Sequence, residues 1–202
     1  IQKLKVSNFI VSTSFVSSLD EQGVVVTDDL SASKEYKFIL NGEKTLTRYF
    51  SYASGQKNDE TYYLNESKNY VKDAFNKGYD TLKKEHISVW ESFWEKSDII
   101  LEGDDSIQQG IRFCLFMVNA SCGRDGKTNI SANGLMGIGY CGQTFWDTEL
   151  FIQPMYNYSD PNVTKSLILY RYNLLENAKK RAIEMDDQGA LFAWNTINGE
   201  EC

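Results

Sequence analysis

The sequence predicts a mainly α protein with an N-terminal β segment. Two observations carry this. β-Branched and aromatic residues with turn punctuation fill the first fifty positions, and apolar residues fall at steps of three and four from about residue 66 onward. Only two prolines in 202 residues leave room for long helices.

Val6, Phe9, Val11, Phe15 and Val24-Val25-Val26 read as strands, and Glu21-Gln22-Gly23 and Leu40-Asn41-Gly42-Glu43 read as turns. Thr45, Thr47 and Tyr49 alternate with Leu46, Arg48 and Phe50 as in a half-buried strand. This is too little sheet to close a sandwich alone. Residues 54–65 are polar and read as a loop. Val71, Phe75, Tyr79, Leu82, His86, Val89, Trp90, Phe93 and Trp94 then share one face of a long helix ending near residue 97, with Gly78 in its middle. His86 and the Trp90/Trp94 pair are read as packing residues.

A helix is expected from the caps Asp104-Asp105-Ser106, with Ile107, Ile111, Cys114, Leu115 and Val118 as its stripe and an αL end at Cys122-Gly123. A long loop runs from Gly123 to about Asp147. A short helix holds Leu150 and Phe151. Ser159 or Asp160 with Pro161 starts another helix, which buries Leu167, Tyr170, Leu174, Ala178 and Ala182 before a turn at Gly189.

A net charge of −7 and the absence of basic runs exclude a phosphate-backbone binder and disfavour anionic membranes. No apolar run approaches the length of a membrane span. Cys114, Cys122, Cys141 and Cys202 have no CxxC spacing and His86 is remote from them, so no metal is expected and the thiols are read as free in a reducing cytoplasm. The first residue is not Met and the last are Glu-Glu-Cys, which reads as an internal piece of a longer chain.

The segment Gly134–Glu149 is the most informative. Its glycines allow tight turns, and Phe145-Trp146-Asp147-Thr148-Glu149 follows at once. A sugar pocket needs an apolar platform for the C–H face of the ring and acceptors for the hydroxyls; Trp146 beside Asp147 supplies both. A packed loop with Asp147 capping the next helix fits equally well. Gly137-x-Gly139-x-x-Gly142 lacks a preceding strand and any βαβ context, and is rejected as a dinucleotide signature. Asp147 and Glu149, two apart at a helix start, point in different directions and are not read as a catalytic pair.

Several stretches resemble glycoside hydrolase family 65, which contains maltose, trehalose and kojibiose phosphorylases. They are Gly123-Arg-Asp-Gly-Lys-Thr-Asn-Ile130, Gly139-Tyr-Cys-Gly-Gln-Thr-Phe-Trp-Asp-Thr-Glu149, Leu169-Tyr-Arg-Tyr172 and Gly189-Ala-Leu-Phe-Ala-Trp194, with Trp90-x-x-x-Trp94 and Gln108-Gln109-x-Ile111-Arg112-Phe113 upstream. The resemblance implies the end of an N-terminal β-sandwich in residues 1–53, a helical linker in 54–103, and the first helices of an (α/α)6 barrel in 104–202. It implies an inverting phosphorylase that cleaves an α-glucosidic disaccharide with inorganic phosphate as co-substrate, without cofactor or metal. The parent enzyme would be cytoplasmic and homodimeric. Trp146 and Asp147 would hold the transferred glucosyl unit, Trp194 and Asn195 the acceptor sugar, with Phe145 and Gln143 in the same pocket. The general acid is expected downstream of Cys202, so no catalytic residue is assigned within the chain. Ile138 and Gln143 depart from the family's common Glu and His, and Asn195 from an acidic residue of some members. Thr196-Ile-Asn-Gly-Glu-Glu looks closest to the maltose phosphorylase branch. A trehalase-like hydrolase and a non-catalytic carbohydrate-binding module are the alternatives.

Overall fold

A computed structural model describes residues 1–3, 9–19, 24–28, 33–37, 42–55, 59–136 and 139–202. The chain divides into two compact units, Ile1–Ser88 and Val89–Cys202. Val6, the turn at Glu21-Gln22-Gly23, and the residues Leu40, Asn41, Gly137 and Ile138 lie outside the described residues. The fold is mainly helical with a small antiparallel sheet.

In the first unit, strands β1 (Gln2–Lys3), β2 (Ile10–Leu19) and β5 (Leu46–Gly55) form an antiparallel sheet in the order β1-β2-β5. Strands β3 (Val24–Asp28) and β4 (Ser33–Lys37) pair separately. Ten residues of β2 pair with ten of β5, from Ile10 opposite Gly55 to Leu19 opposite Leu46. Alternation sets the two faces. Ile10, Ser12, Ser51 and Ala53 are buried, while Phe15, Phe50 and Tyr52 are exposed. The Arg48 guanidinium lies over the Phe15 and Phe50 rings.

The buried face is covered by helix α1 (Glu60–Lys77). Residues 54–65 were expected to be a loop, yet β5 runs to Gly55 and α1 begins at Glu60. The cause is local. Asp59 caps the helix by accepting from the Tyr62 N–H at 2.9 Å, and Tyr63 packs with Ile10 and Ala53. A Cβ on Gly55 would lie 2.5 Å from the Tyr63 hydroxyl, so this close approach needs glycine. Further along α1, the buried Ser67 hydroxyl bonds both Ser12 and Ser14 at 2.8 Å, and Ser51 donates to the Ser67 carbonyl.

The single long helix expected to end near residue 97 is two helices. Gly78, at φ 77°, ends α1 and starts α2 (Tyr79–Ser97). No residue of α2 is buried, and His86 is exposed rather than in a core.

In the second unit, Trp90 of α2 stacks on Phe116 of α3 (Asp105–Ser121) with ring centroids 4.7 Å apart, and Arg112 pairs with Asp98. Asp104 caps α3 as expected. The helix does not end in an αL residue: Cys122 is extended, with φ −75° and ψ 126°. Glycine is nonetheless needed at 123, because a Cβ there would lie 2.2 Å from the Thr128 carbonyl oxygen. The expected stripe of α3 is only partly covered. Ile107 and Cys114 are exposed, and Asn119 is the helix's one buried residue.

The core of this unit is Cys122, Ile130, Tyr156, Val163 and Leu167. A π turn (Thr148–Ile152) leads into α4 (Gln153–Ser159). Asp160 caps α5 (Pro161–Asn173), and the expected continuous helix breaks at Leu174 before α6 (Leu175–Glu184). Leu167, Tyr170, Ala178 and Ala182 are buried as expected; Leu174 is half-buried. Strands β6 (Thr144–Phe145) and β7 (Asn195–Thr196) form a two-residue ribbon. Among the described residues no helix is long and apolar enough to cross a membrane, and all four cysteines are free.

Candidate functional site

The ribbon assembles the site. Thr144 pairs with Thr196 and Phe145 with Asn195, bringing two segments about 50 residues apart into register. Both threonines are buried. The Thr144 hydroxyl donates to the Thr196 carbonyl at 3.0 Å and exchanges a hydrogen bond with the Tyr170 hydroxyl at 3.2 Å. Burial holds the Tyr170 phenol above its ordinary pKa, so it stays a neutral partner. The buried face of the ribbon is thereby fastened to α5, and its other face carries Gln143, Phe145 and Asn195.

All six predicted site residues meet at this ribbon. Trp146 follows Phe145 and Trp194 precedes Asn195, so the two flank the same end of the ribbon, with ring centroids 5.3 Å apart and planes at 58°. Their exposures of 40% and 58% leave both rings open for a ligand to contact. Next to Trp194, the Asn195 amide reaches along the ribbon and donates to the Gln143 side-chain oxygen at 2.6 Å. Phe145 packs edge-on to Tyr140.

The two carboxylates beyond Trp146 have different surroundings. Asp147 occupies the cap position of the π turn, but its side chain makes no capping hydrogen bond. It is exposed and has no hydrogen-bond or ion-pair partner among the described residues. The reading of Asp147 as a helix cap is therefore not met, and its carboxylate is available to a ligand.

Glu149 is fully engaged. Its oxygens accept from Arg171 Nε and Nη2, each at 2.9 Å, and from the Asn129 amide at 3.0 Å. Arg171 Nη2 also donates to the Phe145 carbonyl at 2.9 Å, so the pair anchors the peptide entering Trp146. Sequence reasoning missed this anchor. Its signal was an arginine next to the buried Tyr170, which needs a carboxylate partner.

The second segment is held as firmly. The Trp194 N–H donates to a Glu201 carboxylate oxygen at 2.9 Å, and Arg181 pairs with the same oxygen at 2.9 Å. Leu191 N–H donates to the Ala178 carbonyl of α6. Among the described residues no group of three or more His, Cys, Asp or Glu is placed to hold a metal. Chemically, the site offers two open indole faces, one unengaged carboxylate and neutral amides, which suit an uncharged polyhydroxylated ring.

Residues 112–202 match the glycosyl hydrolase family 65 central catalytic domain. The match to glycosyl hydrolase family 65 takes in somewhat less than half of the chain. It is 44% identical to an α,α-trehalose phosphorylase of Thermoanaerobacter brockii over 92% of its own length and 23% of that protein's. It is 35% identical to a maltose phosphorylase of Bacillus subtilis (strain 168), over 83% of this chain and 22% of the relative. A solved structure of a candidate kojibiose phosphorylase from the human microbiome superposes with a TM-score of 0.79 at 30% identity, covering 100% of this chain and 29% of that one. The chain thus spans about a quarter of the length of these family 65 relatives. The family expected from the motifs is the one found, but the leaning toward maltose is not decided by these relatives. The trehalose phosphorylase shares the higher identity over the larger span.

Proposed function

We propose that this chain is part of an inverting disaccharide phosphorylase, which transfers glucose from an α-glucosidic disaccharide to inorganic phosphate. One observation carries the reading. Trp146 and Trp194 are brought together with both faces open, beside an Asp147 carboxylate that nothing else engages. A glucosyl ring stacks its C–H face on Trp146 and donates hydroxyls to Asp147. The next sugar lies toward Trp194 and Asn195, with Gln143 and Phe145 beside them. A phosphate oxygen attacks the anomeric carbon while the glycosidic C–O bond breaks, and a general acid protonates the departing oxygen. That acid is expected outside residues 1–202, and Glu149 is not a candidate because Arg171 and Asn129 consume it. Products are β-glucose 1-phosphate and the freed sugar.

The reading extends to architecture. Residues 1–53 are assigned to the end of a β-sandwich, 54–103 to a helical linker and 104–202 to the first helices of an (α/α)6 barrel. Phosphate is the only co-reactant, with no metal or organic cofactor, in a cytoplasmic, homodimeric parent enzyme. The higher identity to a trehalose phosphorylase makes α,α-trehalose the first substrate to test, and maltose the second. The experiment is glucose 1-phosphate release by the whole enzyme from trehalose, maltose and kojibiose, with and without phosphate. Phosphate-dependent release from one of them supports the proposal. Cleavage without phosphate would make the enzyme a hydrolase, and no cleavage would leave only a binding role.

A further inference from the structure

Tyr140 and Cys141 have φ of 55° and 51°, and Gly142 follows at 78°. Left-handed backbone is unfavourable for any residue with a Cβ, and two such residues in succession must be held there by their surroundings. The holding contacts are visible. The Gln143 N–H donates to the Tyr140 carbonyl at 2.9 Å, and the Ala132 N–H donates to the Gln143 carbonyl at 3.0 Å. On the other side, the Asn133 amide approaches so near to Gly139 that a Cβ there would lie 2.1 Å from it.

Among the described residues nothing requires a tyrosine at this point. The side chain is 61% exposed. Its only ring contact is the edge-on one to Phe145, at 5.3 Å, and its hydroxyl has no partner among the described residues. Glycine would satisfy the same turn without strain. What the strained turn achieves is placement. It sets an aromatic ring beside Phe145, on the face of the ribbon that carries the Gln143–Asn195 amide pair. That pair uses one amide hydrogen and one carbonyl oxygen. Gln143 Nε2 and Asn195 Oδ1 remain as a donor and an acceptor, both uncharged. An aromatic wall next to a neutral donor–acceptor pair is the chemistry that receives a hydroxylated ring. Trp146 and Asp147, just beyond the Phe145–Asn195 pair, already account for one ring.

We propose that Tyr140 is a specificity-determining residue, its ring held by the left-handed turn as the wall against which the second, departing sugar of the disaccharide packs. This rests on the phosphorylase reading above. The test compares Tyr140→Gly, Tyr140→Phe and Trp146→Ala with the unmodified whole enzyme. Melting temperature is measured with kcat and KM for trehalose, maltose, kojibiose and phosphate. Tyr140→Gly is expected to melt no lower than the parent. Its KM for the preferred disaccharide should rise about tenfold, its phosphate KM should not change, and its preference among the three sugars should narrow. Tyr140→Phe should keep most of the preference. Unaltered KM values and ranking in Tyr140→Gly, or a lowered melting temperature with all KM values scaled together, would overturn the assignment. If Trp146→Ala is impaired while Tyr140→Gly is not, only the Tyr140 assignment falls. If the unmodified enzyme shows no phosphate-dependent cleavage, the phosphorylase reading falls and this one with it.

Discussion

Two carboxylates two residues apart should respond in opposite ways to loss of charge. In Glu149→Gln, one carboxylate oxygen facing the Arg171 fork becomes an NH2 group. Donor then meets donor at one of the two 2.9 Å hydrogen bonds, and the other loses its charged acceptor. A hydrogen bond to a charged group contributes about 1.5–3 kcal/mol, and breaking a fully buried ion pair costs about 3–5 kcal/mol. Arg171 and Glu149 side chains are 14% and 27% exposed, so water offsets part of this. A loss of about 2–3 kcal/mol is expected, or roughly 5–10 °C in the melting of a domain this size. Because Arg171 also holds the Phe145 carbonyl, Trp146 loses its anchor and kcat/KM falls as well. Asp147→Asn removes no contact within the described chain, so its melting should stay within about 1 °C, while turnover collapses. The assay is differential scanning fluorimetry alongside steady-state phosphorolysis of the whole enzyme. A Glu149→Gln enzyme that melts normally, or an Asp147→Asn enzyme that unfolds early, would refute the division of labour.

Trp146→Ala should raise the disaccharide KM about 10–100-fold, from about 1–3 kcal/mol of lost apolar contact, with melting little changed; unchanged kinetics would remove it from the pocket. Gly123→Ala should destabilise by about 1–3 kcal/mol or more, since its Cβ meets the backbone oxygen of Thr128 at 2.2 Å. Gly139→Ala should cost less because its nearest neighbour is the movable Asn133 side chain, and urea midpoints for the two variants check the order. Burial pushes the Cys122 thiol above its ordinary pKa, although Arg124 pulls the other way. The reactive thiolate is therefore scarce at neutral pH and grows only as pH rises past the usual cysteine range. Mass spectrometry after brief alkylation at pH 7 should find Cys122 unmodified until the protein is denatured.

What was legible in the sequence was what one segment decides by itself. Asp104 and Asp160 advertised helix starts, and the spacing of Leu167, Tyr170, Ala178 and Ala182 advertised a buried face. Trp146-Asp147 announced a ligand site through the residue types alone. What stayed hidden depended on partners distant in the chain. The pairing of Gln143 with Asn195, and of Glu149 with Arg171, is decided by the β6–β7 register and by where α5 docks, which no local pattern encodes. The beginning of the helix that starts at Glu60, as far as residue 65, was read as loop because its residues are polar. They are anchored through Tyr63 and Ser67 onto the sheet, where serine hydroxyls replace the apolar stripe that periodicity detects. Gly78 was seen but the break at its positive φ was not, since an isolated glycine inside a helical pattern is tolerated at a modest cost.

The ribbon that joins Thr144 to Thr196 is only two residues long, yet it closes a loop of about fifty. Closing so long a loop costs chain entropy that two strand residue pairs cannot offset alone. Helices α4, α5 and α6 must already be packed for the two tryptophans to meet. Formation of the sugar platform is therefore a late event in folding, and it reports on the integrity of the intervening helices. A substitution at the Leu174 break, outside the ribbon itself, would loosen the tryptophan pair as an injury to either ring would, and would present itself in assays as a binding defect.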